Sequence, residues 1–181
     1  LFRSLHLVST AYVCGRERGP APEQFSEDPP EFHNVYEQSK WRAEALCRTW
    51  AASGNRVLQV FRPSVVVGEF LTGRAIKFDG FYLMGRATEL LHRCFMNRDE
   101  AARQSIPLRI EARPFDRQNI VPVDYVSACM AAIACEPDAP GRVYHLTHPS
   151  PPSNQMIKQG LESFFGIGGG RFVEPGTLVT T

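Results

Sequence analysis

Over the first third of the chain, apolar positions gather in two short runs separated by a long polar stretch and a periodic one. Leu5-His6-Leu7-Val8 reads as a strand over residues 4–9, and Val57-Leu58-Gln59-Val60-Phe61 as a second over residues 56–62. Between them, residues 15–34 are rich in Pro, Glu and Asp and read as a loop. Residues 35–53 read as a helix. Asn34 is its N-cap, Glu37 closes a capping box, and Gly54 suits the left-handed C′ position. Val65-Val66-Val67 is apolar throughout, which suits a strand covered on both faces. Residues 69–118 are irregular, with a helix near 84–97 and a short strand at 107–110. Pro122 and Asp124 start a helix that ends before Pro137, with Asp124 as its capping acid. A strand at 142–147 and a helix at 153–165 follow. Alternating strands and helices predict an α/β fold, the distal side of a doubly wound parallel sheet.

Composition narrows the function classes. A hydrophobic content of 43% supports a buried core, and a net charge of +1 argues against a nucleic-acid surface. No apolar run reaches the ~18 residues of a membrane span, and no secretory signal opens the chain. The cysteines at 14, 47, 94, 129 and 135 are odd in number and form no Cys-x-x-C pair. Reduced thiols in a cytoplasmic protein are the expectation. His145 and His148 lack a third ligand nearby, so no metal site is expected.

The chemistry concentrates at Tyr36-Glu37-Gln38-Ser39-Lys40. On a helix, Tyr36 and Lys40 lie one turn apart on the same face. A phenol beside an ammonium can donate a proton near neutral pH. Free tyrosine titrates near ~10, so bringing it close to 7 needs differential stabilisation of the phenolate on the order of 4 kcal/mol. Tyr-x-x-x-Lys alone is weak evidence, since such pairs also occur as solvated aromatic–cation contacts. The order strand, Ser9-Thr10, loop, Tyr/Lys helix, strand, Arg62-Pro63 raises its weight.

Four stretches carry a resemblance: Val8-Ser9-Thr10-Ala11-Tyr12-Val13-Cys14-Gly15, Tyr36 to Glu44, Arg62-Pro63-Ser64-Val65-Val66-Val67-Gly68, and Asn119-Ile120-Val121-Pro122-Val123-Asp124-Tyr125-Val126. In this order, over about residues 4–148, the chain resembles the extended short-chain dehydrogenase/reductase superfamily. It is most similar to the thioester-reductase and fatty-acyl-CoA-reductase (male-sterility-like) branch. The resemblance implies a Rossmann-like fold divided into 1–68 (catalytic part), 69–118 (variable substrate-binding segment) and 119–181 (return to the Rossmann-like domain and C-terminal helix). It also implies reduction of an acyl thioester or derived aldehyde or ketone with NADP(H), in preference to NAD(H). Tyr36 would be the general acid. Lys40 would support Tyr36 and hydrogen-bond the nicotinamide ribose, and Thr10 would orient the substrate, with Ser9 as the adjacent alternate. Pro63, Ser64, Val65 and Val66 would pass beside the cofactor. Arg62 would join them or simply pair with a carboxylate.

Phe70, Phe78, Phe81, Tyr82, Leu83 and Met84 offer an apolar wall for a free or carrier-bound acyl chain, or equally a small local core. Trp41, Ala45 and Trp50 offer apolar surface for a homodimer through the Tyr36–Lys40 helix, or for packing on the sheet. No strand–Gly-x-Gly-x-x-Gly–helix unit occurs. In Gly166-Ile167-Gly168-Gly169-Gly170-Arg171 the last position is arginine and the preceding segment reads as helix, so a helix-terminating turn is expected. The chain therefore reads as the C-terminal portion of a longer reductase, inactive alone. The alternatives are a nucleotide-sugar epimerase or dehydratase with the same triad, and a non-catalytic remnant.

Overall fold

The computed structural model describes residues 3–136 and 141–177. The described chain forms two units, residues 1–74 with 120–149, and residues 75–119 with 150–181. The stretch 150–181, expected to return to the Rossmann-like part, groups instead with the segment after residue 74.

The first unit is built on three parallel strands, β1 (Ser4–Val8), β2 (Val57–Pro63) and β6 (Val143–Leu146), in the order β1-β2-β6. Val8 pairs with Phe61 and Pro63 with Leu146. Alternation along β2 sends its side chains to two separate cores. Leu58 and Val60 pack with Ala51, Cys47 and Val143, beneath α1 (Val35–Ser53). Phe61 packs with Val121, Val126 and Leu146, beneath α4 (Val123–Cys135). β2 is covered on both faces, so Val60 and Phe61 are fully buried, and with them the polar Gln59 and Arg62.

The loop 15–34 is closed at its base, where Arg16 N donates to Glu31 O at 2.8 Å. Gly15, at φ 59, is required there, because a Cβ would lie 2.3 Å from Glu31 O. Further along, Arg48 ties the loop to α1 through Glu27 at 3.2 Å and stacks over Phe25. Glu23 Oε1 accepts the backbone N–H of His145 in β6 at 2.5 Å.

Asn34 caps α1 by accepting from Glu37 N at 3.0 Å, as expected. The C-terminal end differs. Gly54 sits at φ −131 and the left-handed residue is Asn55, at φ 48. Arg56 stacks on Trp50 at 4.5 Å and fills the space a Cβ on Gly54 would take. Asparagine tolerates that conformation because its short polar side chain bonds locally.

Val65–Val67 forms β3, but it is not covered on both faces. Among the described residues it pairs with β5 (Ile120–Pro122) alone, in a separate two-stranded ladder, and Val66 is 41% exposed.

The second unit holds α2 (Tyr82–Phe95), α3 (Glu100–Arg103), β4 (Arg109–Glu111), α5 (Asn154–Phe165) and β7 (Arg171–Val173). β4 and β7 pair in parallel. Gly166, left-handed at φ 63, ends α5, which matches the helix-terminating turn read from the sequence.

Candidate active site

β1 ends at Val8, and the chain turns at once into a 3-10 turn over Ala11–Cys14. Thr10 caps that turn, its hydroxyl accepting from Tyr12 N at 3.3 Å. Its side chain is buried, and accepting one bond leaves its O–H able to donate. Ser9 N donates to Phe61 O at 2.8 Å, which holds this corner against β2, and the buried Ser9 Oγ has no hydrogen-bond partner.

Tyr36 opens α1 at 55% exposure, so its phenol faces outward from the helix. One turn later, Lys40 Nζ donates to Val8 O at 3.4 Å and lies 5.9 Å from the Tyr36 ring centroid. The lysine thus joins the Tyr36 turn to the end of β1, directly before Ser9 and Thr10. Among the described residues no hydrogen bond joins Thr10 to Tyr36.

Pro63 closes β2 beside Leu146, and Ser64 N donates to Leu146 O at 3.2 Å. Ser64 is buried, and its Oγ is a second hydroxyl without a partner. Ser9, Thr10, Lys40, Pro63 and Ser64 therefore gather at the carboxyl ends of adjacent parallel strands, where open α/β sheets place their ligands. Val65 and Val66 continue into β3.

Arg62 is committed elsewhere. It is buried and bidentate to Glu44, with Nε to Oε1 at 3.0 Å and Nη2 to Oε2 at 2.7 Å. Its Nη1 also meets His145 Nε2 at 3.3 Å. Guanidinium can only donate, so Nε2 is the acceptor and His145 is neutral. Burial first, and then the Arg62 charge, lower the His145 pKa. No group of His, Cys, Asp or Glu suited to a metal occurs among the described residues.

Sequence reasoning assigned Glu37 to a capping box but missed that Glu37 and Glu44 are buried beneath α1. Glu37, Glu44 and Ala51 are its buried residues, spaced by seven and so on one stripe. That spacing was the available signal. Glu37 accepts from His33 N at 2.9 Å and from His33 Nδ1 at 3.2 Å, so it organises the entry to the helix that carries Tyr36.

Asp124 is the acid of the first turn of α4, as expected, but it is not the cap, because Pro122 occupies that position without a side-chain bond. The Asp124 carboxylate instead accepts from Phe70 N at 3.1 Å and 3.3 Å, tying down the segment after β3.

The expected aromatic wall is largely exposed, with Phe70 at 76% and Phe78 at 52%. Phe78 and Phe81 pack edge-on against Tyr82.

The sequence profile described as Male sterility protein matches residues 2–130. The aldehyde reductase lnaA of Aspergillus flavus is 30% identical over 158 residues, 81% of this chain and 13% of the relative. The aldehyde reductase lnbA of the same organism is 30% identical over 119 residues, 66% of this chain and 10% of the relative. The chain thus spans about a tenth of the length of these proteins. Among solved structures, the terminal R domain of the myxalamid PKS-NRPS biosynthetic pathway aligns with 94% of this chain and 39% of its own. Its TM-score is 0.66 at 28% identity. UDP-glucuronic acid 4-epimerase from Bacillus cereus aligns with 95% of this chain and 49% of its own, with a TM-score of 0.62 at 19% identity, a likeness of fold alone. With most of its length matched by the profile, and with the parallel sheet that such folds share, this chain belongs to the Male sterility protein family of NAD(P)-binding, reductase-like domains.

Proposed function

We propose that this chain carries the proton-donating part of a reductase acting on an acyl thioester or derived aldehyde, with Thr10, Tyr36 and Lys40 as its working set. The observation that carries the reading is the Lys40 bond to Val8 O, which ties the Tyr36 turn to the strand end leading into Thr10. The name of the similar myxalamid R domain and the aldehyde-reductase relatives support the substrate class.

A nicotinamide dinucleotide fits the residues present. Two buried hydroxyls without partners, Ser9 Oγ and Ser64 Oγ, stand at neighbouring strand ends, where amide or ribose groups can satisfy them. When bound, the dinucleotide, NADPH in this reading, supplies hydride to the substrate carbonyl. Ser9, Lys40, Pro63, Ser64, Val65 and Val66 would hold its nicotinamide-ribose end. Thr10 O–H donates to the carbonyl oxygen and fixes its orientation. Tyr36 O–H protonates that oxygen as negative charge develops. The Lys40 ammonium stabilises the phenolate that remains. A homodimer through α1 is part of the proposal, since Leu46 and Trp50 are exposed on that helix.

The test is Tyr36→Phe in the full-length protein that contains this chain. It removes the donating hydroxyl alone, so turnover falls roughly 10²–10⁴-fold while cofactor affinity holds. Activity within tenfold of wild type would remove Tyr36 from the mechanism.

A further inference from the structure

Strand alternation gives the β4-β7 ladder of the second unit two unlike faces. Ile110 and Phe172 are register partners and turn toward α2 and α5, which pack on each other beside an apolar cavity. Arg109 and Arg171 are also register partners and stand on the opposite face, although Arg109 borders that cavity as well. Two guanidinium groups side by side on neighbouring strands repel each other. A carboxylate between them would relieve the repulsion. Among the described residues neither arginine side chain makes an ion pair or a hydrogen bond. Glu111, next along the same face of β4, accepts from Gly176 N and pairs with neither.

A cleft of about 420 Å³ opens beside the pair. Gln104, Pro107, Leu108 and Gly169 are part of its wall, and no carboxylate lines it. Gly169 is left-handed at φ 98, and a Cβ there would lie 2.6 Å from Ile106 N, so only glycine lets this turn close on the residues before β4. Gln104 Oε1 lies 2.5 Å from the place a Cβ on Gly168 would take, which seats the carboxamide on the same turn. Its N–H groups have no partner among the described residues. Ser105 Oγ donates to Ala101 O at 2.7 Å and so offers no further donor. The donors left for a ligand are two guanidinium forks and one amide.

That set selects an anion. A guanidinium fork meets two oxygens of a phosphate at once, and two forks match the charge of about −2 on a phosphate monoester better than a single carboxylate. The cleft is larger than a bare phosphate ion requires, and Pro107 and Leu108 give the remainder an apolar side. We propose that the arginine face of the β4-β7 ladder is a binding site for a small phosphate monoester, its dianion held by Arg109 and Arg171 and its organic group against Pro107 and Leu108. None of Thr10, Tyr36 and Lys40 lines this cleft, so the site is independent of the reductase reading.

The experiment is calorimetric titration of the 181-residue protein at about pH 8 with phenyl phosphate and with inorganic phosphate. Phenyl phosphate is expected to bind one site with a dissociation constant below about 1 mM, at least about fivefold tighter than inorganic phosphate. Equal affinity for the two would overturn the monoester assignment. Arg109→Gln and Arg171→Gln should each weaken phenyl phosphate at least about tenfold. Without ligand, each variant should melt no lower than wild type, because it relieves the repulsion. Phenyl phosphate at about ten times its dissociation constant should raise the melting temperature of wild type and leave both variants unmoved. No saturable binding to wild type, unchanged affinity in either variant, or a lowered melting temperature in both without ligand would refute the proposal.

Discussion

Arg62 and Glu44 show how one buried contact fixes the helix that carries the candidate acid. Both are nearly inaccessible, and their two-point bond joins β2 to the middle of α1. Removing one partner leaves an uncompensated buried charge, which typically costs about 3–5 kcal/mol. Glu44→Ala should therefore destabilise the chain by that order in urea unfolding. Pairing it with Arg62→Met should recover much of the loss, because two apolar groups avoid the stranded charge. A loss under about 1 kcal/mol for Glu44→Ala would mean that the pair does not anchor the helix. Ser9 and Ser64 present the opposite case, buried hydroxyls without a partner among the described residues.

At the scale of elements, the contact between β2 and β6 makes stability depend on pH. His145 is held neutral, with its pKa lowered from 6.5 by burial and by Arg62, while Glu23 and Glu44 act in the opposite direction. Below about pH 6.5 the unfolded chain takes up a proton that the folded chain refuses, so stability falls as pH drops through that value. Above it both states are neutral and His145 contributes no slope. His145→Gln keeps an acceptor for Arg62 without titrating. Its melting temperature should fall less than that of wild type between about pH 7.5 and pH 5.5, and superimposable curves would exclude His145 as the source.

Periodicity and capping made the long elements legible: α1, its Asn34 cap, β2 and α5 lie close to where the pattern puts them. The three-residue strands β5 and β7 were not legible, because so few residues carry no period. Tyr36, Lys40 and the Ser9-Thr10 corner could be placed from the order of motifs. The Glu44–Arg62–His145 linkage could not, since it joins residues distant in sequence through burial alone.

For the whole molecule, dinucleotide affinity is the measurable consequence of which parts this chain contains. Its sequence includes no strand–glycine-rich turn–helix unit, the element that seats the pyrophosphate on a helix N-terminus. The proposed cofactor residues reach only the nicotinamide-ribose end. The 181-residue chain should therefore bind NADPH more weakly than about 1 mM, or roughly 4 kcal/mol. A micromolar constant by calorimetry would require a phosphate cradle elsewhere in these residues.

The bond from the His145 amide to Glu23 reaches beyond the stability of the loop. Within the first unit, β1 and β6 are the two outer strands of the three-stranded sheet. At β6, Glu23 blocks an outward amide that an incoming strand would need. On β1 the Val8 carbonyl at the end of the strand is taken by Lys40, and among the described residues the rest of that border has no stopper, so strand addition there has a direction. Two copies meeting through β1 would use up both unprotected borders at once and end as a closed pair. Fibre growth needs a second receptive border on every copy, and the glutamate denies it. Glu23→Ala should turn a self-limiting encounter into an open-ended one, seen as thioflavin-positive aggregate under conditions where wild type gives none.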